Sequence, residues 1–483
     1  MINVRQNKGF ALVFSMIFLF LIVSFIAVFM MAVANGTSMS TRTANEKKAY
    51  YIADAGLVDA YERITQAGIN TLPSSTCTNP SVVSTCAVPF IPSKNTDTGA
   101  YSVGSTNGNY AVSIVYSNSP RSNYTITSTG TYGNYSKTLQ LKIIGASISK
   151  YAYWSQTELN PNFGGPLWWV GEPGLEMLTT GPVQTNGQLN IFGNPIFNGV
   201  VTEANLPIIN GALGSTPTSD SPNYYPGVTS DPSIIFSQGI TNQATAYDLP
   251  PQPTLNAIQT VASDGSGLVL TGASTVIFNP TGTITVTGNV ENSQGVVTAT
   301  YNNTVMQPPA NGVIYVQSNQ GQQDGNVTVQ GTVSGQLTVA ADQNIYVSGS
   351  VAYNNDPRID PNSGDLVALV ANQNITVIES SAPSQLEMAA VMVALQGSFQ
   401  VDQYWVYKGN AQQAVMDQFG SLINYVCGAT GEMDWSGNLL GGWNQVQTYD
   451  SRLATIAPPG FPPYVNNQGQ GVYTKYQSRL TEL

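Results

Sequence analysis

The sequence predicts a mainly β protein that begins with one long α-helix. Residues 10–34 form an apolar run without a single charged side chain. Residues 99–146 alternate apolar and polar side chains between Gly, Asn and Pro. From residue 148, short segments rich in Val, Ile and Thr are separated by Gly, Asn or Asp turns. We therefore expect a long helix with a small antiparallel sheet, followed by a β-solenoid similar to a parallel β-helix.

The composition excludes several classes of function. The chain has 483 residues, a formal net charge of −11 and only 9% charged residues, so its acidity reflects scarce Lys and Arg. Without a basic surface to neutralise phosphates, we expect no nucleic-acid partner. The chain has no histidine, which excludes a Ser-His-Asp triad, a Cys-His pair and His-bound zinc.

The apolar run is long enough to cross a membrane. As a helix, residues 10–34 span about 38 Å at ~1.5 Å per residue, against a hydrocarbon core of ~30 Å. A secretory signal has a shorter apolar region. Because Arg5 and Lys8 precede the run, we expect the N-terminus to stay in the cytoplasm and the C-terminus outside.

A second helical pattern follows a polar break at residues 35–43. Its apolar positions recur at spacings of three and four: Ala49, Ile52, Ala53, Gly56, Leu57 and Ala60. Such small side chains let a helix or a sheet approach closely. The pattern predicts either one long helix or two helices with a flexible joint, ending near Gly68.

The N-terminus resembles that of type IV pilin-like proteins, and the PilX-like minor pilins in particular. The resemblance rests on Lys8, Gly9, Phe10, the apolar helix and the tract AYYIADAG at residues 49–56. It implies that residues 1–9 are a leader that a prepilin peptidase removes between Gly9 and Phe10, and that the new amino group of Phe10 is methylated. It also implies a membrane and filament helix at residues 10–70, with other pilin-like subunits as partners.

One position departs from the pilin pattern. Most pilins carry a glutamate as the fifth residue of the mature chain, and here that residue is Phe14. In that family the glutamate neutralises the terminal amine of a neighbouring subunit, and a carboxylate in lipid is costly without such a partner. The departure predicts a minor subunit at the tip or in the initiating complex. A simple membrane anchor and a repeated filament subunit remain alternatives.

Residues 71–147 are expected to complete a small pilin-like β domain. Cys77 and Cys86 lie in a polar loop, where a disulfide would contribute roughly 2–3 kcal/mol and indicate an oxidising compartment. Two unlinked thiols are the alternative. Cys427 is expected to be a buried apolar residue.

Residues 148–465 are assigned to the solenoid, and residues 466–483 to a C-terminal tail. The tracts DQNIYV (342–347) and NQNITV (372–377) can stack amides from coil to coil, and the segment at 449–464 is expected to pack back along the coils. A β-sandwich is the alternative. This region also resembles large extracytoplasmic domains of unknown function fused to the same N-terminus, in which a histidine usually stands where Gln184 is.

Carboxylates define the candidates for chemistry. A surface-anchored carbohydrate-active enzyme would need two of them at a set separation, and the candidates are Asp356, Asp360, Asp365, Glu432 and Asp434. A calcium site could use Asp356, Asp360, Asn362 and Asp365, although the spacing does not fit an EF-hand and a polar turn is the alternative.

Aromatic side chains supply a candidate binding surface. They are Trp154, Trp168, Trp169, Tyr404, Trp405, Tyr407, Trp435 and Trp443. They could form a sugar-stacking platform or simply cap the solenoid. The sequence favours a non-enzymatic subunit without cofactor, held in the cytoplasmic membrane before assembly. Its large domain would then be displayed at the cell surface for assembly, adhesion or contact with a surface or glycan ligand.

Overall fold

The computed structural model describes residues 8–66, 85–89, 100–103, 106–117, 123–145, 147–160, 165–172, 175–176, 178–206, 208–209, 212–213, 221–244, 246, 251–410, 413–434, 436, 438–461 and 473–476.

The N-terminal unit is one helix packed on an antiparallel sheet. Its elements are α1 (Lys8–Gln66), β1 (Thr85–Pro89), β2 (Ala100–Val103), β3 (Thr106–Ser117), β4 (Asn123–Tyr132) and β5 (Tyr135–Gly145). Helix α1 runs without interruption through the polar break, so one long helix forms rather than two with a joint. The strands pair in the order β1-β3-β4-β5, with β2 on β3, which confirms the predicted meander on the helix.

The small apolar face of α1 is the surface that meets the sheet. Ala49, Ile52, Ala53, Leu57 and Ala60 are all at most 4% exposed. Ala53, Leu57 and Ala60 pack against side chains of β4 and β5, namely Ile126, Leu139 and Ile143. Glycine is required on β4, because a Cβ at Gly130 would lie 2.3 Å from the backbone nitrogen of Ala53. The predicted spacing is therefore confirmed residue by residue.

The large domain begins with short strands and a short helix. They are β6 (Tyr153–Thr157), β7 (Leu159–Asn160), β8 (Gly165–Pro166), β9 (Trp169–Glu172), β10 (Leu175–Glu176), β11 (Leu178–Thr179), β12 (Val183–Thr185), β13 (Asn190–Gly193), β14 (Ile196–Phe197), β15 (Val201–Glu203), β16 (Ile208–Ile209), β17 (Ala212–Leu213), β18 (Asn223–Tyr224), α2 (Pro232–Ile235) and β19 (Ile240–Thr241).

The second part of the domain has longer strands. Helix α3 (Pro251–Ala262) precedes them. The strands are β20 (Leu268–Phe278), β21 (Ile284–Glu291), β22 (Val297–Met306), β23 (Val313–Gln317), β24 (Val327–Val333), β25 (Gln336–Ala341), β26 (Ile345–Tyr353), β27 (Leu366–Ala371), β28 (Ile375–Val377), β29 (Gln385–Ala394), β30 (Phe399–Val401), β31 (Val415–Val426), β32 (Gly431–Met433), β33 (Leu439–Gly442) and β34 (Asn444–Tyr449), followed by β35 (Tyr473–Tyr476).

One ladder of parallel pairings links ten strands in the order β19-β15-β12-β6-β31-β29-β27-β25-β23-β20. Equivalent positions stack an apolar column along it: Ile240, Val201, Val183, Tyr153, Leu422, Met392, Leu369, Val339, Ile314 and Leu268. Each residue of the column therefore packs on the next, and the column belongs to the main core.

Seven strands also close a circuit of parallel pairings, in the order β20-β23-β25-β27-β29-β26-β24 and back to β20. The sequence predicts a simple solenoid, whereas the structure shows this closed, barrel-like arrangement. It arises because successive parts of one long strand pair with different neighbours. In β20, for example, Leu268–Thr271 pairs with β23, and Ser274–Phe278 pairs with β24. The mainly parallel pairing also differs from the hairpin-based β-sandwich that was the alternative.

The ladder order differs from the chain order. The domain starts at β6, steps outward through β12, β15 and β19, and resumes at β20 at the other end of the ladder. Successive strands then return until β31 pairs with β6. The first and last parts of the domain therefore meet at an internal seam, where Leu422 is in register with Tyr153.

Stacked amides run along one edge of the ladder, as the two Asn tracts predict. The side-chain amide of Asn344 donates to Asn326 Oδ1 at 3.0 Å, and that of Asn374 donates to Asn344 Oδ1 at 3.4 Å. The backbone nitrogen of Ser398 then donates to Asn374 Oδ1 at 3.0 Å. Each amide therefore links its own segment to the neighbouring one in the stack.

The segment after β34 packs back on the strands, as expected. Thr338 donates to the carbonyl oxygen of Pro459 at 2.7 Å, and Leu453, Ala457 and Phe461 are buried beside α3. The expected C-terminal tail also contains a strand. In it, β35 pairs antiparallel with β5 and returns the chain to the small sheet.

Candidate functional site

The first half of α1 is an unburied apolar surface. Leu12–Tyr61 contains a window with a mean hydropathy of 3.0, none of it buried, so by length and composition this helix is able to cross a membrane. Phe20 and Phe25 are 75% and 78% exposed, whereas Ala53 farther along the same helix is fully buried. The second half of the helix is therefore buried against the sheet, whereas the apolar surface of the first half is exposed.

Polar contacts secure the second half of α1 to the sheet. The hydroxyl of Tyr110 donates to Asp59 Oδ2 at 2.9 Å. Lys48 Nζ donates to the hydroxyl of Tyr132 at 3.1 Å and lies 4.5 Å from the centre of that ring. These contacts lie about three turns apart on the same side of the apolar face, so the helix is held to the sheet at two points along its length.

The residues of the predicted processing site lie at the start of this helix. Gly9 and Phe10 are helical, and their side chains lie outside the description. Phe14 is 64% exposed on the apolar surface. Cys77 lies outside the described residues, and Cys86 is on β1 with its side chain outside them, so the disulfide stays a prediction.

An aromatic pocket lies at the internal seam of the large domain. Its cavity measures about 320 Å³ and is lined by side chains from β6, β9, β13, β30 and β31 and from the segment 427–434. Four of the aromatic residues singled out in the sequence line it: Trp168, Trp169, Tyr404 and Trp443. Trp169 and Trp443 are buried, while Trp168 and Tyr404 are partly exposed. The fold thus gathers aromatics that are far apart in the chain.

A fully buried carboxyl group holds two walls of this pocket. Glu158 accepts hydrogen bonds from the hydroxyl of Tyr153 at 3.0 Å, from Trp169 Nε1 at 3.3 Å and from Ser155. The rings of Tyr153 and Trp169 meet edge to face, 4.9 Å apart. Burial raises the pKa of Glu158, and the donors oppose that rise. Glu158 is therefore a positioning residue that fixes the two rings.

Sequence reasoning did not identify Glu158. The available signal was an acidic residue among strand-forming aromatics in YAYWSQTELN at residues 151–160. An acid in such a place has to be solvated by the protein or kept neutral. Cys427, expected to be a buried apolar residue, lies partly exposed in the pocket wall, and burial raises the pKa of its thiol well above the ordinary value.

Glu203 is a second buried acid near this network. Burial raises its pKa to about 8, and the nearby charge of Glu158 acts in the same direction. The backbone nitrogen of Leu189 donates to Oε2 at 3.2 Å, whereas Oε1 has no hydrogen-bond partner among the described residues. Burial therefore favours the neutral form of Glu203 and makes its ionisation costly.

The charged residues at the pocket have one sign. Glu432 and Asp434, two of the candidate carboxylates, lie in its lining, and the described residues of the lining include neither Lys nor Arg. The side-chain amide of Asn438 donates to Asp434 at 2.8 Å and holds the pKa of that carboxyl below its usual value. Lys408 lies outside the lining, 5.3 Å from the centre of the Trp443 ring and 2.9 Å from Glu379.

The candidate calcium residues lie on the loop between β26 and β27, where their oxygens already receive donors. Asp356 accepts from Arg358 Nε at 2.8 Å, and Asn362 N donates to Asp360 at 3.0 Å. Asp365 accepts from the backbone nitrogens of Gly335 and Asn355, each at 2.7 Å. In the described part of the chain, no group of three or more acidic or cysteine side chains could hold a metal ion.

The remaining candidates lie elsewhere. Trp154 is buried under α3, Trp405 and Tyr407 are 54% and 66% exposed, and Trp435 lies outside the described residues. Gln184 is buried on β12, where its amide donates to the carbonyl oxygen of Thr185 at 3.2 Å. The structure therefore separates Gln184 and Trp154 from the pocket.

Together these features define a long-helix protein with an uncovered apolar segment, a small antiparallel sheet and a large parallel β domain. No protein-family model and no curated protein matches the chain. Among solved structures, it is similar to the competence-associated pilin ComZ from Thermus thermophilus, with 13% identity and a TM-score of 0.29. That match covers 90% of this chain and 97% of the other. At this score the likeness does not establish a shared fold.

Proposed function

We propose that the chain is a minor pilin-like subunit that displays a large β domain on a type IV pilus-like filament. The proposal rests on the difference in burial between the two halves of helix α1. Its second half is buried on an antiparallel sheet, while its first half is apolar and exposed over residues 12–33. Such a surface needs a lipid bilayer before assembly and packed neighbouring helices afterwards. The subunits that fit are other pilin-like helices.

The proposal includes processing and position. A prepilin peptidase would cut between Gly9 and Phe10, and Phe14, in place of the usual acid, favours the tip or the initiating complex. This PilX-like interpretation rests on the sequence resemblance. A plain anchor would keep the helix in the membrane, and a repeated subunit would place it along the whole filament.

The large domain would be the displayed part. We infer that its stacked parallel strands are coils of a solenoid, because equivalent apolar positions and amides repeat from one strand to the next. We propose a non-catalytic role in assembly, adhesion or surface contact. Asp356 is paired with Arg358, which disfavours it as an enzyme's carboxylate. Glu432 and Asp434 lie at the aromatic pocket, so a carbohydrate-active enzyme stays the alternative.

Mass spectrometry of the mature N-terminus tests the assignment. The expected result is a chain that begins with N-methylated Phe10. The matched variant Gly9→Val should keep its leader, while Gly36→Ala, at a helix position with no atom within 4 Å of the added Cβ, should be processed normally. An intact Met1 or a cut near Ala34 in the natural chain would contradict pilin processing.

Isolated filaments test the position. If the chain is a tip or initiating subunit, labelling should place it at filament ends in small amounts. A chain that accounts for most of the filament mass would show that it is a repeated subunit. Its complete absence from filaments, with the leader removed, would favour a plain anchor.

A further inference from the structure

The pocket at the seam has the chemistry of a sugar site. Its volume of about 320 Å³ falls at the small end of the range of roughly 300–1,000 Å³ that is typical of small-molecule pockets. Such sites combine an apolar lining with a few polar groups that fix orientation. Here the lining is aromatic, and the polar groups include the side chains of Glu432 and Asp434.

The described residues of the lining include two partly exposed aromatic rings, fewer than an ammonium cage needs. Trp169 and Tyr153 are buried against each other, and Lys408 lies over the ring of Trp443. Trp168 and Tyr404 are the partly exposed aromatic rings of the lining. An ammonium cage needs several ring faces around one point, whereas a pyranose needs one or two flat faces. The weakly positive C–H groups of a pyranose pack on the negative face of an aromatic ring.

The negative charges of the pocket lining favour some sugars over others. Glu432 and Asp434 can accept hydrogen bonds from sugar hydroxyl groups, and they repel carboxylate, sulfate and phosphate groups. The neighbourhood of Glu432 and Tyr404 shows this field, since burial and then the negative charge of Glu432 raise the pKa of Tyr404. The lining therefore fits a neutral ring better than an anionic one.

The rim extends the aromatic surface beyond the pocket. Tyr404 and Trp405 meet edge to face with 5.1 Å between ring centres, and Trp405 and Tyr407 are largely exposed. The backbone of this loop is held to the β32–β33 hairpin, because Gly442 N donates to the carbonyl oxygen of Val406 at 2.9 Å. Because this loop is already fixed, ligand binding orders its aromatic side chains at little entropic cost. This arrangement suits a chain of several sugars better than a single one.

We propose that this pocket binds a neutral pyranose of a glycan, with Trp168 and Tyr404 as stacking surfaces and Glu432 as a hydroxyl acceptor. The inference extends the display role proposed above to a ligand class, yet it does not require filament assembly. Processing at Phe10 could fail while glycan binding holds, and binding could fail while processing holds.

Calorimetry on the full chain in detergent tests the inference. The probes are neutral gluco-, chito- and manno-oligosaccharides, a hexuronate oligosaccharide and choline. We expect at least one neutral oligosaccharide to bind, and Trp168→Ala and Tyr404→Ala each to weaken that binding by at least about tenfold. Tyr346→Ala, which removes a partly exposed tyrosine of β26 outside the pocket, should leave the affinity unchanged. Thermal unfolding of each variant confirms that it is folded.

Three results would overturn the proposal. One is the absence of binding by every neutral probe. Another is tighter binding of the hexuronate or of choline than of any neutral sugar. The third is sugar binding that persists in folded Trp168→Ala and Tyr404→Ala. A Glu432→Gln variant adds a milder test, since the amide keeps an acceptor oxygen and should bind hexuronate better than the natural chain does.

Discussion

Ser421 donates a hydrogen bond of 2.6 Å to the carbonyl oxygen of Tyr151, 270 residues earlier in the chain. Leu422 follows directly, and its backbone nitrogen donates to the carbonyl oxygen of Ala152 at 2.8 Å. These bonds join the last long strand of the domain to its first one. The aromatic pocket lies at this junction, so its walls depend on contacts between residues very far apart in sequence.

We expect Ser421→Ala to destabilise the large domain. The side chain of Ser421 is 1% exposed, so its removal leaves a buried carbonyl oxygen without its donor. The cost should be about 1–3 kcal/mol in the free energy of unfolding. Urea denaturation measures it, with Ser348→Ala on β26 as the matched control. A loss no larger than that of the control would show that the seam does not limit stability.

Gly130→Ala should loosen α1 from the small sheet. An added Cβ would lie 2.3 Å from both the carbonyl oxygen of Ala49 and the nitrogen of Ala53, and a helix backbone cannot yield as a side chain can. Overpacking of this kind costs roughly 1–3 kcal/mol. Limited proteolysis should cut the variant faster within residues 45–66. Gly364→Ala, whose added methyl meets nothing within 4 Å, should be cut at the natural rate.

Glu203 should make the protein more stable in mild acid than at pH 8. Its pKa rises from an ordinary 4.5 to about 8 on folding. Between these values the folded chain holds a proton that the unfolded chain has released, so the free energy of unfolding falls as the pH rises. Below pH 4.5 both states are protonated and this contribution is constant.

Replacing Glu203 tests that dependence. Thermal unfolding between pH 4.5 and 8 should show a smaller decline in Glu203→Gln than in the natural chain, because an amide does not titrate. Glu158, whose pKa is also raised by burial, should account for part of what remains. Glu291→Gln, at a less buried position, is the control. An unchanged slope in Glu203→Gln would refute the assignment.

Asn344→Ala should break the stacked amides between neighbouring strands. The side chain of Asn344 donates to Asn326 and accepts from the backbone nitrogen of Asn374 at 3.1 Å, so both neighbours lose a partner. We expect a loss of about 1–3 kcal/mol, measured by urea denaturation. Asn354→Ala, at an exposed loop position, should change the stability much less. Equal effects of the two substitutions would argue against a structural role for the amides.

Local patterns in the sequence determined much of the fold. The spacing of Ala49, Ile52 and Ala53 predicts the buried face of α1, because helical periodicity depends only on near neighbours. Alternation predicts β3, β4 and β5 for the same reason. The Asn tracts predict the stacked amides, since each turn repeats the same requirement for hydrogen bonds.

Tertiary structure alone decided where distant segments meet. Neither the ladder order, with β6 beside β31, nor the return of β35 to the small sheet follows from local preference, because each of these pairings joins strands that are far apart along the chain. The same holds for the pocket. Its aromatic residues are visible in the sequence, whereas their gathering, and the role of Glu158 in orienting Tyr153 and Trp169, depend on which strands become neighbours.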